Sequence, residues 1–517
     1  MSNQGNFIIK SDCIFTATDT SPINGYVKVE NDKISAVGQG EIPSNLLSAD
    51  TKVYNYTGKT VSPGFVDVHC FFTGYVVRFL GCDLANCSSE SEVIETAKKH
   101  MATISNDYPI LGHNLKVKVS EELLNKEFGD RPVVLFMEGQ ETCAMNTSAI
   151  QKYNFNPNRC WPEAYVKIFP YILGDKKFIK PEFIKYMKMM NSHGITSIKE
   201  MGFDDFYTFT EVLEELEKEN ALTVRVNFMS QPVDKPMNIE YGKKMRDKFK
   251  GEFVKFSGYN QMTDGSVSEF NADIKKPYNN TDTCCKQNIN WKQLEDDAHT
   301  ADKNDFRFSL HCQGDAAIAK TLDIYETCKR DANGKMVNRH AITDLEFSDP
   351  QDLERMGKMG VIAEVYPQIQ SIANREGKLK MIEEKIGLER GKNYWNRRKM
   401  QDSGVTISCG TDLPLLIDNI PESVYHAVGG FFPEGGEPFN TQNMLKTNEL
   451  LKAWTHGGAY NLGDEKTLGT LEVGKKADIA VLSGNLFTTP IENIRELKVD
   501  MTVINGNIVY EREWYYE

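Results

Sequence analysis

Ser62-Pro63-Gly64-Phe65-Val66-Asp67-Val68-His69-Cys70-Phe71-Phe72 decides the fold of this chain. A Pro-Gly turn releases a short apolar run that ends on a histidine. Phe65, Val66 and Val68 favour an extended backbone, and a short apolar run bounded by turn residues is the pattern of a buried strand. Alternate side chains on a strand share a face, so positions 69 and 71 point the same way. One imidazole, His69, and one apolar ring, Phe71, therefore share a face.

Working outward, comparable apolar, β-branched runs recur at 195–199, 223–229, 253–257, 307–311, 341–345, 361–366 and 405–409. With 65–69 that makes eight. Intervening segments such as 208–220 and 317–329 carry apolar residues at helical spacing with charges opposite. Eight strands alternating with helices predict an α/β chain folded as a closed parallel (β/α)8 barrel of the TIM type. An open doubly wound sheet fits less well, because no Gly-rich phosphate turn follows any of the runs.

The alternation stops at both ends. Strand-like pieces at 7–9, 25–29 and 34–37, and at 479–482, 501–504 and 508–510, predict one composite β domain from 1–60 plus 465–517 around a barrel of 61–464. Between the first and second runs lie about 125 residues, too many for a structureless loop. They hold a strand signal of their own, Pro132-Val133-Val134-Leu135-Phe136, so 73–190 is predicted as a subdomain inserted after the first barrel strand.

Composition bounds the function. The 517 residues carry a net charge of −13, which argues against a nucleic-acid partner. No apolar run approaches a membrane span, and residues 1–6 lack the basic and apolar regions of a signal peptide. Eleven scattered cysteines without a CxxC pair indicate thiols of a reducing compartment rather than disulfides or a structural zinc cluster. A cytoplasmic protein acting on a small molecule, neither on nucleic acid nor at a membrane, and assembling as a homodimer is the resulting expectation.

Several further fragments belong with the opening one. They are Asp130-Arg131-Pro132, Val254-Lys255-Phe256 with Asp264-Gly265, Leu310-His311-Cys312-Gln313-Gly314-Asp315, Ser408-Cys409-Gly410-Thr411-Asp412, Gly457-Gly458-Ala459-Tyr460 and Gly469-Thr470-Leu471-Glu472-Val473-Gly474-Lys475-Lys476-Ala477-Asp478. In this order they resemble the amidohydrolase superfamily nearly end to end, and within it the long branch that includes N-substituted formamide deformylases. The resemblance implies metal ligands at the C-terminal ends of strands one, four, five, six and eight. Carried over by position these are His69, Lys255, His311, Asp344 and Asp412, with Lys255 carboxylated as a metal-bridging carbamate. Phe71 replaces the second histidine of the family's His-x-His, Asp344 replaces a histidine, and the family's Gly-His in the insertion reads Gly139-Gln140.

The implied cofactor is a divalent ion, zinc, manganese or iron, one or two in number; a carboxylate in place of an imidazole shifts preference toward the harder ions. Catalysis falls to Asp412 as proton acceptor and donor beside a metal-activated water, with His311 in the same site. The implied reaction is hydrolysis of a C–N bond in an amide, cyclic amide or formamide. Ring opening of a cyclic β-diketone by C–C hydrolysis is one alternative, and a barrel that has lost catalysis and only binds is another. For each residue a plainer reading stays open: a helix cap for Asp412, a paired buried lysine for Lys255, a solvated loop residue for Asp344, core histidines for His69 and His311. Cys70 is predicted to face the core, Glu200 to form a loop salt bridge, and Arg78 and Arg339 to pair at the surface rather than clamp an anionic substrate. His340, just before the sixth run, is predicted to have no ligand role.

Overall fold

The computed structural model describes residues 5–48, 51–78, 80–138, 142–154, 157, 167–202, 208–232, 236–416 and 420–513. The chain divides into two compact units, Met1–Cys70 with Tyr186–Asp204 and Asn220–Glu517, and Phe71–Lys185 with Asp205–Glu219.

The first unit holds the barrel. Its strands are Phe65–Cys70, Ile195–Gly202, Arg225–Ser230, Val254–Met262, Phe308–Cys312, Ala341–Asp344, Ile362–Val365 and Ile407–Cys409. They form one sheet in sequence order, and each neighbouring pair is parallel. The ring is nearly closed between its eighth and first strands by contacts from residues just past the end of the eighth to residues within the first. The Asp412 N–H donates to His69 O at 2.8 Å, and the Thr411 N–H and hydroxyl both donate to the Asp67 carboxylate, at 3.1 and 2.6 Å. Gly410 is needed here, because a Cβ on it would lie 2.8 Å from the Cβ of His69. The seam of the barrel and the first candidate ligand are thus one piece of structure.

Strands from both termini share a second sheet in the same unit. Its order places Ile479–Leu482 beside Thr60–Pro63, with Asn6–Ile14, Ile23–Glu30 and Lys33–Gln39 on one side and Val499–Ile504 and Asn507–Glu511 on the other. Its core packs Ile9, Val27, Ile34 and Val61 from the N-terminal part against Leu471, Ile479, Val481, Met501 and Val503 from the C-terminal part. Burying a side chain of this size contributes roughly 1.5–3 kcal/mol, so neither terminal part would hold its strands without the other.

The second unit has a four-stranded sheet in the order Cys143–Met145, Val133–Met137, Ile110–Leu115, Cys82–Asp83. Its helices Glu90–Met101, Glu121–Phe128 and Thr147–Tyr153 start on Ser89, Ser120 and Asn146, whose side chains accept from backbone N–H groups of the first turn. The unit also takes in 205–219, including the helix Phe209–Lys218. The sequence reading assigned that helix to the barrel alternation. Phe209 stacks with Phe72 and meets Phe183 edge-on at centroid distances of 5.2 Å, and Lys176 bonds Glu215 at 2.7 Å. An amphipathic helix does not declare in its sequence which apolar neighbour it will cover.

Candidate functional site

The C-terminal ends of the barrel strands carry the chemistry in this architecture. Four of the five sequence-predicted ligands meet there as two pairs. His311, next to last in its strand, places Nε2 3.1 Å from Asp344 Oδ2. His69, next to last in the first strand, places Nε2 3.6 Å from Asp412 Oδ1. Both carboxylates stand on left-handed backbone, Asp344 at φ 79° and Asp412 at φ 51°. Such conformations store roughly 1–3 kcal/mol each and gather at functional sites.

Charge couples the pairs. Burial pushes the Asp412 carboxyl up and Asp344 adds to it, while His69 and His311 pull it back. Burial opposes protonation of His311, but the Asp344 hydrogen bond and charge, with Asp264 and Asp412, outweigh it and bring the imidazole up to about 9. Asp344 is fixed further by Gln313 Nε2 at 2.7 Å. Asp264 accepts from the N–H groups of Gln313, Gly314 and Asp273, each at 2.8 Å. It therefore shapes the loop beneath His311 and Gln313.

The fifth predicted ligand is elsewhere. Lys255 is the second residue of its strand, its side chain is 39% exposed, and Nζ binds Asp464 Oδ1 at 2.5 Å. The sequence reading ended this strand near 257, which would have brought Lys255 close to its C-terminal end. The strand runs on to Met262, whose register partner is His311. A register shift after Phe256, with Gly258 at φ 119°, carries the chain past the apparent end. Lys255 is thus a partly exposed paired lysine at the opposite end of the barrel, and the carbamate reading is corrected.

The lysine inside the barrel is Lys199, which no motif flagged. It is 0% exposed and ion-paired with Glu364, with Asn461 Oδ1 at 3.2 Å. Burial pulls this ammonium down to about 8, against the pull of Glu364. Burial alone would raise Glu364, yet Lys199, His69 and Arg307 hold it well below the usual carboxylate range. Its Oε2 lies 3.7 Å from His69 Nδ1 and accepts from Thr343 Oγ1 at 3.2 Å. Glu364 thus faces one nitrogen of His69 while Asp412 faces the other, the position from which an outer carboxylate can orient a histidine. The visible signal was a carboxylate within the apolar run 361–366.

Other expectations resolve as follows. Cys70 is buried, its thiol 3.7 Å from both Lys199 O and Glu200 Oε2. Glu200 is a buried strand residue, not a loop residue. Arg339 pairs with Glu465 at 2.8 Å. The side chain of Arg78 and residues Gly139-Gln140 lie outside the described residues. Phe71 begins the second unit and brings no ligand atom.

Each pair of mouth residues offers two donor atoms at the spacing of ligands on a divalent ion, while no three of the four bring donor atoms within 4.8 Å of one another. Ligands held 2.0–2.2 Å from a tetrahedral ion stand roughly 3.3–3.6 Å apart, close to the 3.1 and 3.6 Å of the two pairs. Buried Nδ1 of His311 has no hydrogen-bond partner among the described residues.

Among the described residues, the one trio of His, Cys and acidic ligand atoms within 4.8 Å of one another is Asp302, Cys328 and His340. It is already saturated. His340 Nδ1 accepts the Phe308 N–H at 3.0 Å and Nε2 meets Asp302 Oδ1 at 2.9 Å. Asp302 also accepts from Asn338 Nδ2 at 2.8 Å and the Lys329 N–H at 2.9 Å. Standing before the sixth strand, the trio braces the closed end of the barrel.

Comparison with known proteins agrees with this fold. YtcJ of Bacillus subtilis, whose name places it provisionally among the amidohydrolases, is 23% identical over 540 residues, 96% of this chain and 98% of its own. The N-substituted formamide deformylase of Arthrobacter pascens is 27% identical over 227 residues, 43% of this chain and 39% of its own. The fold is shared with an uncharacterized metal-dependent hydrolase from Pyrococcus furiosus at a TM-score of 0.73 and 21% identity, covering 94% of this chain and 99% of that one. Residues 180–510 match the amidohydrolase family, and with the match spanning most of the barrel and its closing sheet, the chain belongs to the amidohydrolase family and is a hydrolase.

Proposed function

We propose that this hydrolase is metal-dependent and cleaves a C–N bond, in an amide, cyclic amide or formamide, of a small molecule. The observation that carries the proposal is the pairing of His69 with Asp412 and of His311 with Asp344 at the barrel mouth. A divalent ion bound at these pairs would supply Lewis acidity and a water made acidic enough to ionise near pH 7. Two carboxylates among four ligands favour manganese or iron over zinc.

The chain's own residues do the rest. Asp412, its carboxyl raised by burial, lies closer to working pH than an exposed aspartate and suits a group that takes a proton and returns it to the leaving nitrogen. Glu364 at His69 Nδ1 keeps the other ring nitrogen turned toward Asp412. Gln313 and His311 both meet Asp344 Oδ2.

The test is elemental analysis after expression in manganese, zinc or iron, followed by a hydrolysis screen of N-formyl, N-acetyl and cyclic amide compounds. About one ion or more per chain is expected, with turnover lost to chelator and restored by metal. Less than about 0.2 ion per chain under every supplement, or turnover indifferent to chelator, would overturn the proposal.

A further inference from the structure

A chain of buried polar groups runs through the barrel interior and ends on His69. Lys199, Glu364 and Asn461 are fully buried. Lys199 Nζ pairs with Glu364 Oε1, and Asn461 Nδ2 donates to the same oxygen at 2.9 Å. Asn461 is itself fixed. Its Oδ1 accepts from Lys199 Nζ at 3.2 Å and from Arg307 Nη1 at 2.5 Å, and its backbone O accepts from Arg307 Nη2. Two cations on Oδ1 settle which way the amide points, so Nδ2 turns to Glu364 and to Ser408 Oγ, 2.9 Å away. Apolar side chains of the same size often stabilise a fold as well as a buried ion pair does, so stability alone does not account for this one.

These contacts fix how Glu364 lies. Oε1 takes Lys199 and Asn461; Oε2 accepts from Thr343 Oγ1 at 3.2 Å and faces His69 Nδ1 at 3.7 Å. Lys199 therefore anchors the carboxylate by the oxygen turned away from the ring and leaves the other one facing it. On the far side of His69, Nε2 lies 3.6 Å from Asp412 Oδ1. A neutral imidazole carries one proton, and what faces each nitrogen decides where it sits. The two carboxylates are unequal competitors. The Glu364 side chain is 0% exposed, whereas that of Asp412 is 26% exposed. A charge held in a water-free interior pulls harder on a facing N–H than one that water screens.

We infer that Lys199, Asn461 and Glu364 are positioning residues of this hydrolase, a buried rod that holds the proton of His69 on Nδ1 and so presents Nε2 as the donor atom at the barrel mouth. None of the three reaches the mouth pairs except through His69. The rod begins at Asn461, in the helix Gly458–Leu462 that follows the last barrel strand, so a residue far along the chain sets the state of an imidazole on the first strand.

This rests on the metal-dependent reading proposed above, and the test separates the two. In the metal-free full chain with isotope-labelled histidine, long-range proton–nitrogen NMR correlation at about pH 9, where a free imidazole is neutral, places each ring proton; His69→Gln identifies the signal. His69 should carry its proton on Nδ1. Glu364→Gln should reverse this: Lys199 and Asn461 draw the amide oxygen into the place of Oε1, so the NH2 faces His69 and drives the ring proton to Nε2. Lys199→Met with Glu364→Leu removes both charges of the rod and should also leave the proton on Nε2, beside Asp412. Divalent manganese and zinc are then titrated into the same proteins by calorimetry. Both variants should bind them at least ~10-fold more weakly than wild type, the cost of losing the outer partner of a ligand histidine. A rod that only filled the barrel would let the double variant keep both the proton position and the affinity. If neither ion binds wild type but the proton moves as described, the positioning role stands and the metal reading falls. Wild-type His69 protonated on Nε2 alone, or a double variant that folds and binds either ion within ~3-fold of wild type, would overturn the inference.

Discussion

Lys255→Met separates barrel geometry from family pattern more cleanly than any other substitution. A bridging carbamate at this position would make metal content depend on it. In the structure Lys255 precedes Met262, the register partner of His311, by seven residues. At about 3.3 Å per residue the two lie roughly 20 Å apart along the strand even after the bulge is allowed for, far beyond the reach of a lysine side chain. What the substitution removes is the ion pair with Asp464, at a side chain 39% exposed. Pairs of this kind contribute about 0–1 kcal/mol. Lys255→Met should therefore keep metal stoichiometry and turnover within twofold of wild type, and neither should respond to bicarbonate. Elemental analysis and kinetics with and without added bicarbonate decide it. Loss of half or more of the metal, or rescue by bicarbonate or a short carboxylic acid, would refute the strand assignment on which the corrected site rests.

Other perturbations reach the site itself. Asp412→Asn keeps the shape and removes the proton acceptor, so kcat should fall by about 10²–10⁴-fold, whereas His311→Ala should chiefly lower metal occupancy; a single-turnover assay with elemental analysis separates them. In the metal-free protein His311 is raised to about 9, above its unfolded value near 6.5. Its contribution to stability is full below about pH 6.5 and lost as pH rises through 9. Because an ion must displace that proton, metal affinity should climb up to tenfold per pH unit toward 9 and then level, with about one proton released below that pH, measurable by calorimetry in buffers of different ionisation enthalpy. Lys199→Met should destabilise by about 3–5 kcal/mol by stranding Glu364 in the barrel, while Lys199→Met with Glu364→Leu should recover most of that. Denaturant unfolding of the metal-free chain reads the stabilities. A double variant no better than the single would show that Lys199 acts through partners other than Glu364.

The barrel was legible because its strands are buried on both faces, and a run such as 361–366 has no other reading at that length. The levels of His69, His311, Asp344 and Asp412 in the barrel were legible because each lies at or just past the end of a strand, whereas their role as ligands came from the family resemblance alone. Lys255 was misread for the same reason. Past Phe256 the chain reads Ser257-Gly258-Tyr259-Asn260-Gln261, which looks like a loop, yet Tyr259 and Gln261 pair with Phe308 and Leu310. A polar strand inside a ring of strands is satisfied by neighbours that are distant in sequence: Asn260 Nδ2 by Gln231 at 3.1 Å, Gln261 Nε2 by Asp297 at 2.9 Å. Local composition cannot announce such partners.

The same limit hid the burial of Arg397, which is 4% exposed and donates to Tyr366 O. It sits in Asn393-Tyr394-Trp395-Asn396-Arg397-Arg398-Lys399, whose composition is that of an exposed turn, and its neighbour Arg398 does pair with Glu449 there. What distinguishes Arg397 is the company that the fold brings to it, the exit of the seventh strand at Tyr366 and the rings of Tyr394 and Trp395. Charge in a sequence is counted one residue at a time, whereas compensation of charge is a property of pairs. A cation that the fold buries without an anion therefore becomes visible only when every pair is known.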